Sequence, residues 1–160
     1  MNRFKLLTLS VLSATIICTS CNKKETTMNQ KDLKTNIIAR EKGMLDKWST
    51  GNSAGCLYII ADDITYFDPD QTKRLDGFDN LKKLYERING TFHIAKYEMI
   101  DPVVQSDGEM AVLSYNLICH LDNNVTEVWN VTQVYRQQPD KQWKVIHGHF
   151  SIVRPMDNLK

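Results

Sequence analysis

A chain of 160 residues has room for one domain beyond whatever is trimmed from its ends. Hydrophobic residues make up 42% and charged residues 24%, an ordinary globular mixture. Lys and Arg total 20 against 19 for Asp and Glu, a net charge of +1 that leaves no concentrated basic surface for neutralising nucleic-acid phosphates.

Residues 1–21 read as a secretion signal: Arg3 and Lys5 give a basic start, Leu6 to Ile17 an apolar run, and small residues follow. The run is shorter than the roughly 20 apolar residues that a permanent span requires. Cys18-Thr19-Ser20-Cys21 resembles the lipobox of bacterial lipoproteins, with Cys18 standing where that pattern usually has Leu. The resemblance implies lipid on Cys21 and a protein held at the bacterial cell envelope, on the periplasmic or outer-membrane side. Plain secretion with an incidental cysteine is the alternative. Residues 22–30 are polar and read as a tether, 31–154 as the folded domain and 155–160 as a tail.

Within the domain, Leu33, Ile37, Ile38, Met44, Leu45 and Trp48 recur at helical spacing, predicting a helix over about 30–49. Thr50-Gly51-Asn52 ends it, and a short second helix over 53–61 buries Cys56, Leu57, Ile59 and Ile60. Ile64 to Phe67 is a β-branched and aromatic strand stopped by Asp68-Pro69-Asp70. Asp76-Gly77 opens a third helix with Phe78, Leu81, Leu84, Tyr85 and Ile88 on one side. Strands then follow one another: a long one from Phe92 to Val104 bent near Asp101-Pro102, one around 111–121, one over 125–137, and a last one over 142–153. Strict alternation puts Trp143, Val145, His147, His149 and Ser151 on one face of that last strand, with Ile146, Gly148, Phe150 and Ile152 on the other. Three helices followed by a strand meander make an α+β plan. Cys56 and Cys119 each lie in an apolar stretch; both a disulfide and two buried thiols are open.

The order of elements, with Phe67-Asp68-Pro69, Asp76-Gly77, Asp101-Pro102 and Trp143-x-x-x-His147-x-His149-x-Ser151, resembles the nuclear-transport-factor-two-like superfamily. Its SnoaL-like members and the association (hub) domain of calcium/calmodulin-dependent protein kinase II come nearest. The resemblance implies a cone: a curved mixed or antiparallel sheet packed on three N-terminal helices, a pocket on the concave side and a dimer contact on the convex side. It implies that Tyr66, Asp68, Asn116, Gln133, Gly148 and Phe150 face the pocket and that Trp143, His147 and His149 lie on the outer face.

Asp68 resembles the general base of ketosteroid isomerases, which share this fold. A base alone does not suffice, because the developing oxyanion needs hydrogen-bond donors. The matching donor positions are Met44 and Gln133, a thioether that cannot donate and an amide weaker than a carboxylic acid. The arginines of the hub pocket correspond to Asn116, Gln133 and Phe150, so a guanidinium fork for anions is missing. Tyr66 and Tyr85 could add apolar walls with hydroxyls. His147 and His149 could ligate a metal only with a third ligand, and His93 and His120 cannot be placed beside them. Glu127 and Trp129 share a strand face and fit either the interface or the rim of the cone.

These residues point to a lipid-anchored, dimeric binding or assembly module for a small neutral or partly apolar molecule, with no metal or other cofactor and no nucleic acid. The alternative is a small isomerase, cyclase or hydratase using Asp68 as base. An Asp68 carboxyl buried in a cavity, with an upward-shifted pKa and a donor facing it, favours the second; a solvent-facing Asp68 bonded to its own turn removes it.

Overall fold

The computed structural model describes residues 29–91 and 93–154, so the leader, Cys21, nearly all of the tether and the tail lie outside the described residues. Helix α1 spans Gln30–Ser49. Asn29 starts it, its side-chain oxygen accepting from the Lys31 and Asp32 N–H groups at 2.8 and 3.0 Å. Gly51, at φ 75°, turns the chain out of it and donates to the Trp48 carbonyl at 2.9 Å. The expected second helix is a 3₁₀ segment, Ala54–Ile59, and the chain is already extended at Ile60. Helix α2 spans Phe78–Ile88 and turns Leu81, Leu84 and Tyr85 inward.

One six-stranded sheet carries the rest, in the order β2-β1-β6-β5-β4-β3. The strands are β1 Ile60–Phe67, β2 Leu75–Asp76, β3 Ile94–Ser106, β4 Met110–Leu121, β5 Thr126–Gln137 and β6 Trp143–Ile152. The pairs β3–β4, β4–β5 and β5–β6 are antiparallel, whereas β1 runs parallel to β6, so the sheet is mixed. The two-residue β2, too short to leave a pattern in the sequence, pairs with Thr65 and Tyr66 of β1. The helices cover the concave face. Ile37, Met44 and Leu45 of α1 pack with Leu113, Leu117, Val131 and Val145 of the sheet in one apolar core.

Register, rather than element type, is where the structure departs from expectation. Val134 pairs with His147 but Tyr135 pairs with Val145, leaving Ile146 as the extra residue of a β-bulge. Alternation therefore resets at Ile146: Trp143 and Val145 face inward with Tyr135, His147 and His149 face outward, and Gly148 and Phe150 face inward again. Trp143 is accordingly 2% exposed and belongs to the core, not to an outer surface. A second correction concerns β4. Ala111, Leu113, Tyr115, Leu117 and Cys119 are its buried residues, and Asn116 is exposed on the outer face, where its amide donates to Asn130 at 2.8 Å. Alternation had separated the two sets correctly, but it carries no sign saying which set faces in.

Candidate functional site

A cavity of about 520 Å³ opens between the two helices and the concave face of the sheet, within the size range of small-molecule sites. Five aromatic side chains line it: Trp48 of α1, Tyr66 of β1, Tyr85 of α2, Trp129 of β5 and Phe150 of β6. Four of them form a continuous chain of ring contacts. Trp48 and Tyr85 meet edge to face at 5.3 Å between centroids, Tyr85 and Tyr66 at 6.2 Å, and Tyr66 and Phe150 at 5.8 Å. Met44, Leu84, Leu117 and Cys119 complete the apolar lining.

Gly148 positions Tyr66. The two are direct partners across the parallel β1–β6 pair, and a Cβ added at Gly148 would stand 2.9 Å from Tyr66 Cδ2. The space that the glycine leaves over the sheet is filled by this ring, not by a helix or a ligand.

Asp68 follows the end of β1 and lines the cavity. Its Oδ1 accepts from the Asp70 N–H at 2.9 Å, closing a turn, while the Tyr66 hydroxyl donates to Oδ2 at 3.4 Å. Burial pushes the carboxyl above the ordinary carboxylate range, and the neighbouring Asp70 charge adds to that rise. The Asp70 N–H and the Tyr66 hydroxyl oppose it. Burial likewise raises the Tyr66 and Tyr85 hydroxyls, which share a hydrogen bond and remain protonated donors at neutral pH. The Trp129 indole N–H is buried on this wall and has no hydrogen-bond partner. Cys119 adds a free thiol whose pKa burial raises to about 11. Cys56, the other free thiol, is buried and its Sγ lies 3.4 Å from the Met44 carbonyl oxygen.

Three expected pocket residues do not line this cavity: Gly148 faces inward but is covered by the Tyr66 ring, and Asn116 and Gln133 are placed elsewhere. Asn116 points away from it, as described above. Gln133 faces inward but is 2% exposed, and its Nε2 donates to Glu41 Oε1 at 2.8 Å and approaches the Met44 sulfur at 3.8 Å. Glu41 itself went unnoticed in the sequence. It is fully buried on α1, and its carboxyl also accepts from the Tyr115 and Tyr135 hydroxyls, each at 2.5 Å. Burial raises its pKa, against the lowering effect of those three hydrogen bonds. The sequence did hold a signal: Leu33, Ile37, Glu41 and Leu45 recur every four residues, so Glu41 sits on the apolar stripe rather than on the wet face.

On the opposite surface, the Thr65 hydroxyl lies 2.8 Å from His147 Nδ1, and the Phe67 ring stands between His147 and His149 at 6.0 and 5.4 Å. Burial, then the nearby His149, depress the His147 pKa and favour its neutral form. Among the described residues, no group of three His, Cys, Asp or Glu side chains could hold a metal.

The sequence profile of the SnoaL-like domain matches residues 37–155. The chain is a SnoaL-like domain of the NTF2-like superfamily. Among solved structures, this SnoaL-like domain is similar to a proposed ketosteroid isomerase of Parabacteroides distasonis. The two are 33% identical with a TM-score of 0.70, over 84% of this chain and 96% of that one. An NTF2-like protein of Pseudomonas putida shares 23% identity and a TM-score of 0.71, over 81% and 93% of the two chains. The hub homology domain of the Chlamydomonas reinhardtii kinase shares 23% identity and a TM-score of 0.64, over 76% and 98%. No curated protein matches the SnoaL-like domain.

Proposed function

We propose that the domain binds a small, largely apolar molecule in the aromatic cavity, and that it works as a binding module anchored through lipid at Cys21. The observation that carries this reading is the wall itself: five aromatic rings from both helices and three strands line a space of about 520 Å³. Of the two positions that match an isomerase's oxyanion donors, Met44 is a thioether that cannot donate, and the Gln133 amide serves Glu41. Trp48 and Trp129 make occupancy visible. Ligand entry shifts tryptophan fluorescence, and native mass spectrometry of the purified protein shows a bound small mass; a protein whose fluorescence responds to no apolar compound refutes the reading.

A second reading follows from Asp68. Its raised carboxyl, with the Tyr66 hydroxyl at 3.4 Å, is the arrangement that would favour a general base in an isomerase, cyclase or hydratase. The similarity to a proposed isomerase supports the same direction. Conversion of a β,γ-unsaturated ketone to its conjugated isomer, followed by absorbance and abolished in Asp68→Asn, would establish it; no conversion above buffer excludes this chemistry.

For assembly, we propose a homodimer through the outer face of the sheet, with Phe67, His147 and His149 in the contact, held at the bacterial envelope. Phe67 is 41% exposed and Val128 37% exposed there, which leaves apolar surface for a second copy to cover.

A further inference from the structure

Charge at the cavity mouth narrows the class of ligand. Asp68, Asp70 and Glu127 line the cavity, against one guanidinium, that of Arg87 on the exposed side of α2. Among the described residues, none of these three carboxylates is in an ion pair. The carboxylates therefore keep their field for whatever enters. An anionic ligand would meet repulsion from the Asp68–Asp70 turn and from Glu127. A cation would meet those carboxylates and, beyond them, the negative faces of aromatic rings.

Resting on the small-ligand reading above, we propose that the natural ligand is a protonated or quaternary amine with an apolar body. Its cationic head sits at Asp68 among Tyr66 and Tyr85, and its body lies against Trp48, Trp129 and Phe150. Asp68 is the central contact because it alone joins the acid rim to the ring chain, through the Tyr66 hydroxyl. Burial raises the Asp68 carboxyl above the ordinary carboxylate range, and an arriving cation would draw it back down.

Three compounds with one phenylalkyl body and different heads test the assignment: 4-phenylbutylamine, 4-phenylbutanol and 4-phenylbutyrate. Binding to the purified protein is followed by tryptophan fluorescence and calorimetry. The amine should bind at least about tenfold more tightly than the alcohol, and the butyrate most weakly. The amine's advantage should shrink as salt rises from 50 to 500 mM, roughly halving the Debye length or more. Asp68→Asn, which keeps a hydrogen-bond acceptor for Tyr66, should abolish the advantage of the amine over the alcohol. Glu127→Gln, on β5, should reduce it, and Arg87→Gln, on α2, should increase it. Should Asp68→Asn lose its far-UV dichroism, the other two variants still decide the sign. Equal or tighter binding of the alcohol or the butyrate overturns the amine assignment while leaving the small-ligand reading intact. Failure of all three compounds to bind overturns both.

Discussion

Replacing Glu41 tests whether the network beneath the cavity floor holds the fold together. Its carboxyl is 0% exposed and receives the Tyr115 hydroxyl, the Tyr135 hydroxyl and the Gln133 amide. Glu41→Ala would leave three buried donors without an acceptor, at about 1–3 kcal/mol each. Some relaxation and water entry would reduce the total, giving an expected loss of about 3–6 kcal/mol. That is a large part of the roughly 5–15 kcal/mol that a domain possesses. Glu41→Gln keeps the shape and one acceptor oxygen and should cost about 1–3 kcal/mol. Urea denaturation followed by far-UV dichroism measures both. A partner test strengthens the result: Tyr115→Phe should destabilise the wild type but not the Glu41→Ala protein, because its hydroxyl has nothing left to serve. The protonation state gives a second readout. A carboxyl whose pKa is raised in the folded state binds its proton more tightly there, so unfolding releases it. Stability relative to Glu41→Gln should thus be greatest below the ordinary value of 4.5 and decline as pH rises from there through the folded pKa. A Glu41→Ala protein within about 1 kcal/mol of wild type, with the Tyr115→Phe cost unchanged, refutes the network's role.

Three other outcomes follow from the geometry. Gly148→Ala places a Cβ 2.9 Å from the Tyr66 ring, which is itself 6% exposed, and should cost about 1–3 kcal/mol in urea denaturation while weakening cavity binding. Deleting Ile146 removes the unpaired residue and leaves Val145 inward, His147 outward and Gly148 inward in unbroken alternation; this protein should keep a cooperative unfolding transition, and its loss would contradict the register. Light scattering after size exclusion should give a dimer for the wild type and a monomer with unchanged dichroism for Phe67→Asp, and a strictly monomeric wild type would sink the interface.

The fold was largely legible in the sequence because its signals are local. Asn29, Thr50-Gly51 and Asn89-Gly90 bound the helices, and the apolar spacings between them fall within a residue or two of the observed elements. The superfamily resemblance then supplied the curved sheet packed on helices and left it mixed or antiparallel; the parallel β1–β6 pair makes it mixed. The site was less legible, for three physical reasons. Alternation along β4 separates Asn116 from Tyr115 and Leu117 without saying which set meets the helices. The bulge at Ile146 is one residue long, is made of an ordinary β-former and leaves no turn residue behind, so Trp143 and His147 looked like neighbours on one face. Glu41 is charged, and a charge on a helix reads as solvated unless its place among Ile37 and Leu45 is weighed above its type. Tyr66, Asp68, Tyr85 and Phe150, by contrast, flank the cavity that the resemblance implied.

The rings that enclose the hollow come from both helices and three strands, whereas two of its three acids and Gln71 sit together just past β1. Shape is thus invested in the rigid frame, and polarity is concentrated in a short exposed connection that bears little of the packing. A graft confined to residues 68–73 could re-specify what the hollow admits without recutting the core. Members of one family could diverge in diet by rewriting a single hexapeptide.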